Sequence, residues 1–377
     1  MERIYLDKAA TTSLSPEVLE AMLPYMTTHF GNPSSIYSYG RETRLAIENA
    51  RKSIAAHLKV SPGEVFFTSG GTESDNMAIE ASINDLGCTH VISSPIEHHA
   101  VLHCIEHFQK LGTVTASQVK LTSNGHIDLL DLEEQLKTIG KKTLVSLMHA
   151  NNEIGNLIDI EKVGLLCKQY GAIFHSDTVQ TLGHYQLDLS HKLVHFATGA
   201  GHKFHGPKGV GILYINDSIK INPLIFGGGQ ERNMRAGTEN LYGIVGIAKA
   251  LELSIKSLDQ DQQYISSLKA YMAEQIKLLF PTAVFNGDYQ GASLYTVLNV
   301  SFPKTEKSEL MLFNLDMQGI CVSGGSACSS GTDIGSHVIR ALPNFSTDAV
   351  PVRFSFSKHN TKAEIDKVLS AIQEILA

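Results

Sequence analysis

Long apolar runs are missing from this chain. None approaches the ~18 residues that a membrane-spanning helix needs, so a transmembrane role is not expected. Blocks of positive charge are missing too. Lys and Arg number 31 against 38 Asp and Glu, a net charge of −7. The two signs are mixed along the chain, which leaves no electrostatic footprint for nucleic acid. Cysteine is scarce and forms no pattern. Cys88, Cys104, Cys167, Cys321 and Cys328 are odd in number, scattered, and make no CxxC pair. That argues against a disulfide framework or a zinc ribbon. The opening MERIYLDKAATT carries early charges and no apolar segment, unlike a secretory signal. A reducing, cytoplasmic setting is expected. Internal repeats and low-complexity segments are absent as well.

What is present suits a soluble globular enzyme, with 43% apolar and 18% charged residues. A length of 377 residues allows roughly two domains. Short apolar runs read as buried strands: EVFFTSG (64–70), THVISSP (89–95), TLVSLMHA (143–150), GAIFHSDT (171–178), HFATGAG (195–201) and GVGILYI (209–215). They are rich in β-branched and aromatic residues and bounded by Gly, Ser or Asn. Helical patterns separate most of them, such as 72–86 and 160–171, the latter ending on a glycine suited to a C-cap. Alternating strand and helix predicts a mainly parallel sheet covered on both faces. Beyond about residue 245 the alternation is lost, after a long helical stretch (about 241–280), and a smaller α+β domain is expected. The predicted division is 15–245 for the large α/β domain, with 1–14 and 246–377 forming the small one.

In such sheets ligands bind beyond the carboxyl ends of the strands. The segments that follow the strands here are TSGGTES, PIEHHA, HANNEIG, SDTVQT and GAGHK. All carry groups that bind phosphate, aromatic rings or carboxylates. Lys203 lies between two histidines among glycines. A lysine forms a Schiff base once its amine can lose a proton, which burial or neighbouring cations promote. A solvent-facing lysine at a strand end is the plainer alternative. In SGGTES the amides of Gly71 and Thr72, with the Thr72 hydroxyl, could meet a phosphate at a helix N-terminus, or the stretch is a simple cap. Asp177 could keep a pyridinium nitrogen protonated and Gln180 could bond a ring hydroxyl; an Asp that merely caps the next helix is the alternative. His98 could stack on a flat ring and move protons. His99, His103 and His107 share one helix face, a spacing open to a metal or to a solvated surface. Cys328, in SGGSACSSG, sits among small residues that suit an accessible thiol nucleophile. Arg353, in VRFSF, could clamp a carboxylate in bidentate fashion, or pair on the surface. Together these groups describe an enzyme that uses pyridoxal phosphate (PLP) and a cysteine nucleophile.

The chain resembles the group I cysteine desulfurases, a branch of the class V aminotransferase-like, fold-type I PLP-dependent enzymes. The likeness runs from end to end through YLDKAATT, GNPSS, FTSGGTESDN, EHHAV, HANNEIG, GHKFHGPKGVG, GGGQERNMRAGTEN, SGGSACSSG and VRFSF, in that order. The resemblance implies that Lys203 tethers the cofactor. It implies that His98 stacks on the ring, Asp177 meets its nitrogen and Gln180 its hydroxyl oxygen. Thr72 and His202 would hold the phosphate, with Thr238 reaching it from the other subunit of a homodimer. Asn152 and Arg353 would hold the substrate carboxylate. Cys328 would take the sulfur of L-cysteine as a persulfide, leaving alanine, and pass it to an iron–sulfur scaffold or a tRNA thiolation protein. No metal is expected.

Three positions depart from the family pattern. Ala200 stands where a serine hydroxyl commonly serves the phosphate. Tyr37 replaces a histidine. Lys8 replaces Asn or Tyr, near where substrate is expected to enter. A selenocysteine lyase or another PLP reaction is compatible with the same residues. A silent scaffold is disfavoured by the retention of both Lys203 and Cys328.

Overall fold

The computed structural model describes residues 3–324 and 335–377. Cys328 lies outside the described residues. From the N-terminus the elements are β1 (Ile4–Tyr5), α1 (Pro16–Thr27), α2 (Ser38–Leu58), β2 (Val65–Thr68), α3 (Gly71–Asn84), β3 (His90–Ser93), α4 (His99–Lys110), β4 (Thr115–Gln118), α5 (Leu129–Thr138) and β5 (Thr143–Ser146). They continue with α6 (Ile160–Tyr170), β6 (Ile173–Asp177), β7 (Phe196–Ala200), β8 (Gly211–Ile215), α7 (Leu241–Lys256), α8 (Leu258–Leu279) and β9 (Val284–Phe285). The chain closes with β10 (Val297–Pro303), α9 (Met311–Met317), β11 (Ile320–Cys321), α10 (His337–Ala341), β12 (Ala349–Ser355) and α11 (Lys362–Leu376).

Among the described residues seven strands form the main sheet, in the order β2-β8-β7-β6-β5-β3-β4. β3, β4, β5, β6 and β7 pair in parallel, and β8 runs antiparallel to both β7 and β2. β2 therefore points the same way as the parallel set. Successive side chains alternate between two cores, as a period of two requires. Val65, Ile92, Val145, Phe174 and Ala197 face one core with α1, α2, α5, α6 and α7. Phe66, Val91, Leu144, Ile173 and Phe196 face the other with α3 and α4. Both faces are covered, which is why the strands read as short unbroken apolar runs. Gly211 permits a close approach: a Cβ there would come within 2.7 Å of Gly199 O and of Gly70 Cα. β8 thus packs tightly behind the turn that leads into α3.

A third core joins α8, β10, α9, β12 and α11, and it includes Ile4 and Leu6 from the N-terminus. β1 pairs with β11 in parallel. The chain then crosses to the large sheet, where Thr12 N donates to His202 O at 2.9 Å. Residues 7–12 therefore lie between the two layers of structure, above the ends of the parallel strands.

Candidate active site

Five of the co-directed strands deliver their following residues to one edge. After β2 come Gly71 and Thr72, after β3 His98, after β5 Asn152, at the end of β6 Asp177 and after it Gln180, and after β7 His202 and Lys203. All of these, with Ala200 and Arg353, line a single cavity of about 270 Å³. The N-terminal strap (Ala9, Ala10), Asp75, Met148 and Val179 complete the wall.

Lys203 ends a short 3₁₀ turn, Gly201–Lys203, that directly follows β7. Its Nζ donates to Ala9 O at 2.6 Å and Ala10 O at 2.9 Å. Gln180 Nε2 donates to Ala9 O at 3.0 Å. The strap thus holds the amine over the cavity through backbone carbonyls. α3 begins at Gly71 and its N-cap, Gly70, makes no side-chain cap bond. The first amides of a helix lack intrahelical acceptors, and here they open onto the cavity beside the Thr72 hydroxyl. His202 Nδ1 lies 3.1 Å from Thr11 Oγ1. Burial, aided by Lys203 and Lys208, pushes the His202 imidazole down to about 4.

His98 is the N-cap of α4. Its Nδ1 accepts from Ala100 N at 3.1 Å, so the neutral ring carries its proton on Nε2. Burial first, then Lys203 and three neighbouring histidines, lower it to about 4. Asp177 accepts from Val179 N at 2.9 Å. It closes a local turn there and caps no helix. Burial first and Asp75 second raise its carboxyl to about 7. Arg353 is 1% exposed. Its Nη2 meets Asp7 Oδ1 at 2.6 Å and its Nη1 donates to Asn152 O at 3.0 Å, while Nε is buried without a partner among the described residues.

Some expectations land elsewhere. Thr238 does not line this cavity. It borders a separate cleft with Arg235 and Glu239. Lys8, expected near the substrate entrance, is also outside the main cavity. It stacks over Tyr5, with 4.7 Å from Nζ to the ring centroid, and lines a smaller neighbouring cavity. Tyr37 is exposed before α2. His99 packs on His103 and on His337, with ring centroids 4.7 Å and 4.5 Å apart. Among the described residues no group of three or more His, Cys, Asp or Glu could hold a metal ion. Sequence reasoning missed Asp75 and the strap carbonyls. The only signal for Asp75 was its place one helical turn beyond Thr72.

The family model of the class-V aminotransferases matches residues 4–368. The chain belongs to that family. The cysteine desulfurase IscS of Dictyoglomus turgidum is 42% identical, over 99% of this chain and 94% of its own. A solved NifS-like protein superposes with a TM-score of 0.90 at 36% identity, covering 100% of this chain and 99% of its own. SspA, solved in complex with cysteine, gives a TM-score of 0.82 at 29% identity, over 95% of this chain and 100% of its own. The fold is that of the fold-type I PLP enzymes, and pyridoxal phosphate is the cofactor.

The residues present fit that group. The cavity offers an amine (Lys203), an uncapped helix start for a phosphate (Gly71, Thr72), an imidazole face (His98) and a buried acid (Asp177). Asp75, also buried here, keeps Oδ1 without a hydrogen-bond partner. A polar wall of this kind is costly unless a polar ligand meets it. No helix among the described residues is long and apolar enough to cross a membrane.

Proposed function

We propose that the chain converts L-cysteine to L-alanine as a PLP-dependent cysteine desulfurase, with Cys328 receiving the sulfur as a persulfide. The observation that carries this reading is the single cavity shared by Lys203, His98, Asp177, Gln180 and Arg353. The cysteine bound by SspA supports L-cysteine as the substrate.

When bound, the cofactor supplies an electron sink for the bonds that break at the substrate's α- and β-carbons. Lys203 Nζ is the tether and then the group that moves a proton at the α-carbon. Asp177 would hold the ring nitrogen, Gln180 the ring hydroxyl oxygen, and Gly71, Thr72 and His202 the phosphate. His98 would lie against the ring. Its imidazole is neutral near pH 7, so it accepts a proton only when the reaction delivers one and gives it up readily. Arg353 and Asn152 orient the substrate carboxylate, and Asp7 fixes the guanidinium in place. The Cys328 thiolate bonds to the substrate sulfur as the Cβ–S bond breaks. That bond's electron pair stays with carbon, and a proton completes the methyl group of alanine.

The persulfide sulfur then passes to an acceptor protein, of the iron–sulfur scaffold or tRNA-thiolation kind, in the cytoplasm. The working form is a homodimer in which Thr238 serves the partner's phosphate. Supporting this are its separation from the cavity of its own chain and the exposed Leu19, Leu23, Met26, Phe30 and Ile36 on and after α1. The proposed domains are 15–245 for the large one and 1–14 with 246–377 for the small one; the packing of α7 on the large core through Leu251 supports extending the large domain to Ser257.

The test is a visible spectrum of the purified protein with alanine and sulfide assayed on adding L-cysteine. Cys328→Ser is expected to keep the cofactor absorbance and lose sulfide release, and Lys203→Ala to lose the absorbance. Full sulfide release by Cys328→Ser would remove Cys328 from its role. Absorbance without alanine from cysteine, but with alanine from selenocysteine, would reassign the substrate.

A further inference from the structure

Behind the cavity wall two carboxylates meet one imidazole. His175 and Asp177 are two residues apart on β6 and so face the same side. α3 packs across that side and brings Asp75 down onto them. Asp75 is 1% exposed and lines the same cavity as Asp177. Its Oδ1 lies 3.4 Å from His175 Nε2 and has no hydrogen-bond partner among the described residues. His175 is fully buried, with Nδ1 2.9 Å from Ser146 Oγ and Nε2 3.2 Å from Thr198 Oγ1.

An ionised carboxylate with an unmet oxygen is expensive to bury, and a protonated one much less so. Two carboxylates this deeply buried beside one another oppose each other's ionisation near neutral pH. His175 does not balance them, because burial pushes it down to about 4 and keeps it neutral. The remaining charged or titratable groups that face the pair are Glu97 after β3, Cys104 on α4 and Lys203 after β7. Glu97, pushed up to about 8 mainly by burial, is itself protonated near pH 7 and adds no charge there, while Lys203 favours ionisation of Asp177. Among the described residues the Thr198 side chain is the one donor that favours the charged form of Asp75, whereas Asp177 has the Val179 amide in addition to Lys203 and His175.

We propose that Asp75 and Asp177 share one proton that resides on Asp75, so that the single negative charge of the pair stays on Asp177, where a ring N–H is to be held. Asp75 is then a positioning residue that acts on the ring through Asp177. The inference rests on the reading of Asp177 as the ring-nitrogen partner.

The test is infrared spectroscopy of the holoenzyme with aspartate labelled by ¹³C at its carboxyl carbon, which separates a protonated Asp from Glu97. At about pH 7 the wild type is expected to show the carbonyl stretch of one protonated aspartic acid, since exposed aspartates are ionised there. Asp75→Asn should lose that band. Asp177→Asn should keep it on titration to about pH 6, with its midpoint lowered because a like charge has gone. A band that survives Asp75→Asn, or is absent from the wild type, overturns the proposal. If Asp75→Asn fails to fold, the Asp177→Asn spectrum decides alone: a retained band leaves the proton on Asp75, and a lost band places it on Asp177. The ring-nitrogen reading fails separately, if Asp177→Asn binds PLP as tightly as the wild type.

Discussion

Restoring one hydroxyl should measurably tighten the cofactor. Ala200 is the last residue of β7 and is buried in the cavity wall. Its side chain shares a face with that of Thr198, toward the start of α3. A Cβ placed on Gly71 would lie 3.8 Å from Thr198 Cγ2 and 3.9 Å from Ala200 Cβ. A serine at 200 would therefore present its hydroxyl beside the uncapped amides of Gly71 and Thr72, where the phosphate is expected. A hydrogen bond to a charged group contributes about 1.5–3 kcal/mol. Ordering the hydroxyl and stripping its water offset part of that. A net gain of about 1 kcal/mol corresponds to roughly fivefold in Kd. The assay strips the cofactor and titrates PLP back at low protein concentration, following visible absorbance. Ala200→Val is the control, since it adds volume without a donor and should weaken binding. Unchanged or weaker binding by Ala200→Ser, or equal tightening by Ala200→Val, would refute the reasoning.

Other substitutions probe the supports of the site. Arg353→Lys keeps a charge but loses the planar fork that spans Asp7 and Asn152 O. KM for L-cysteine should rise by roughly 10- to 100-fold, about 1.4–2.8 kcal/mol, with the cofactor spectrum kept; an unchanged KM would remove Arg353 from carboxylate binding. Arg51→Met should cost about 3–5 kcal/mol in denaturant unfolding, because it strands Glu231, which Arg51 holds through two bonds of 2.8 Å inside the protein. A loss under about 1 kcal/mol would place that pair with the weak surface bridges. Glu97 is buried, and burial outweighs the bonds from Ser94 and Met148 to push it up to about 8. An unfolded Glu titrates near 4.3, so the folded chain holds the extra proton between those values. Wild-type apoprotein should therefore lose stability against Glu97→Gln as pH rises from about 5 to about 8, by at most about 1.4 kcal/mol per pH unit. The difference should level off above about 8.5; thermal melts that show a constant difference would contradict it.

The strands that build the site were legible because each is buried on both faces and so appears as an unbroken apolar run. β4 was not. It is one of the sheet's two edge strands, TASQ, and unlike β2 at the other edge it is half exposed and without an aliphatic core residue, so nothing in its composition separates it from a loop. The residues after the strands were legible from position, since co-directed strands must deliver their C-terminal ends to one edge. Contacts made by distant chain segments were not. Asp7 reaches Arg353 across 346 positions, and Ala9 meets Lys203 across 194. Asp75 reads as one more acid in a polar helix start, and only the packing of α3 on β6 buries it. Lys8 shows the same limit. Ala9 and Ala10 border the main cavity, while the Lys8 side chain stacks over Tyr5 in an adjoining cavity that Ala9, Gln180 and Lys203 also line.

The charge inside the cavity explains why a single missing hydroxyl should matter here. A phosphate can be held by cations or by neutral donors. Here His98 and His202 are both held neutral by burial, and Arg353 is tied to Asp7 near the substrate end. What faces the phosphate position is then the start of α3, the Thr72 hydroxyl and a neutral imidazole. The helix start contributes only about half a unit charge. A cradle built from neutral donors has no strong Coulombic term to mask the loss of one bond, so its affinity follows the number of donors. This makes Ala200 a sensitive position. In the proposed homodimer, a Thr238 supplied by a second copy would take a larger share of the binding than it would have beside an arginine, and occupancy of the cofactor site would be coupled to assembly of the dimer.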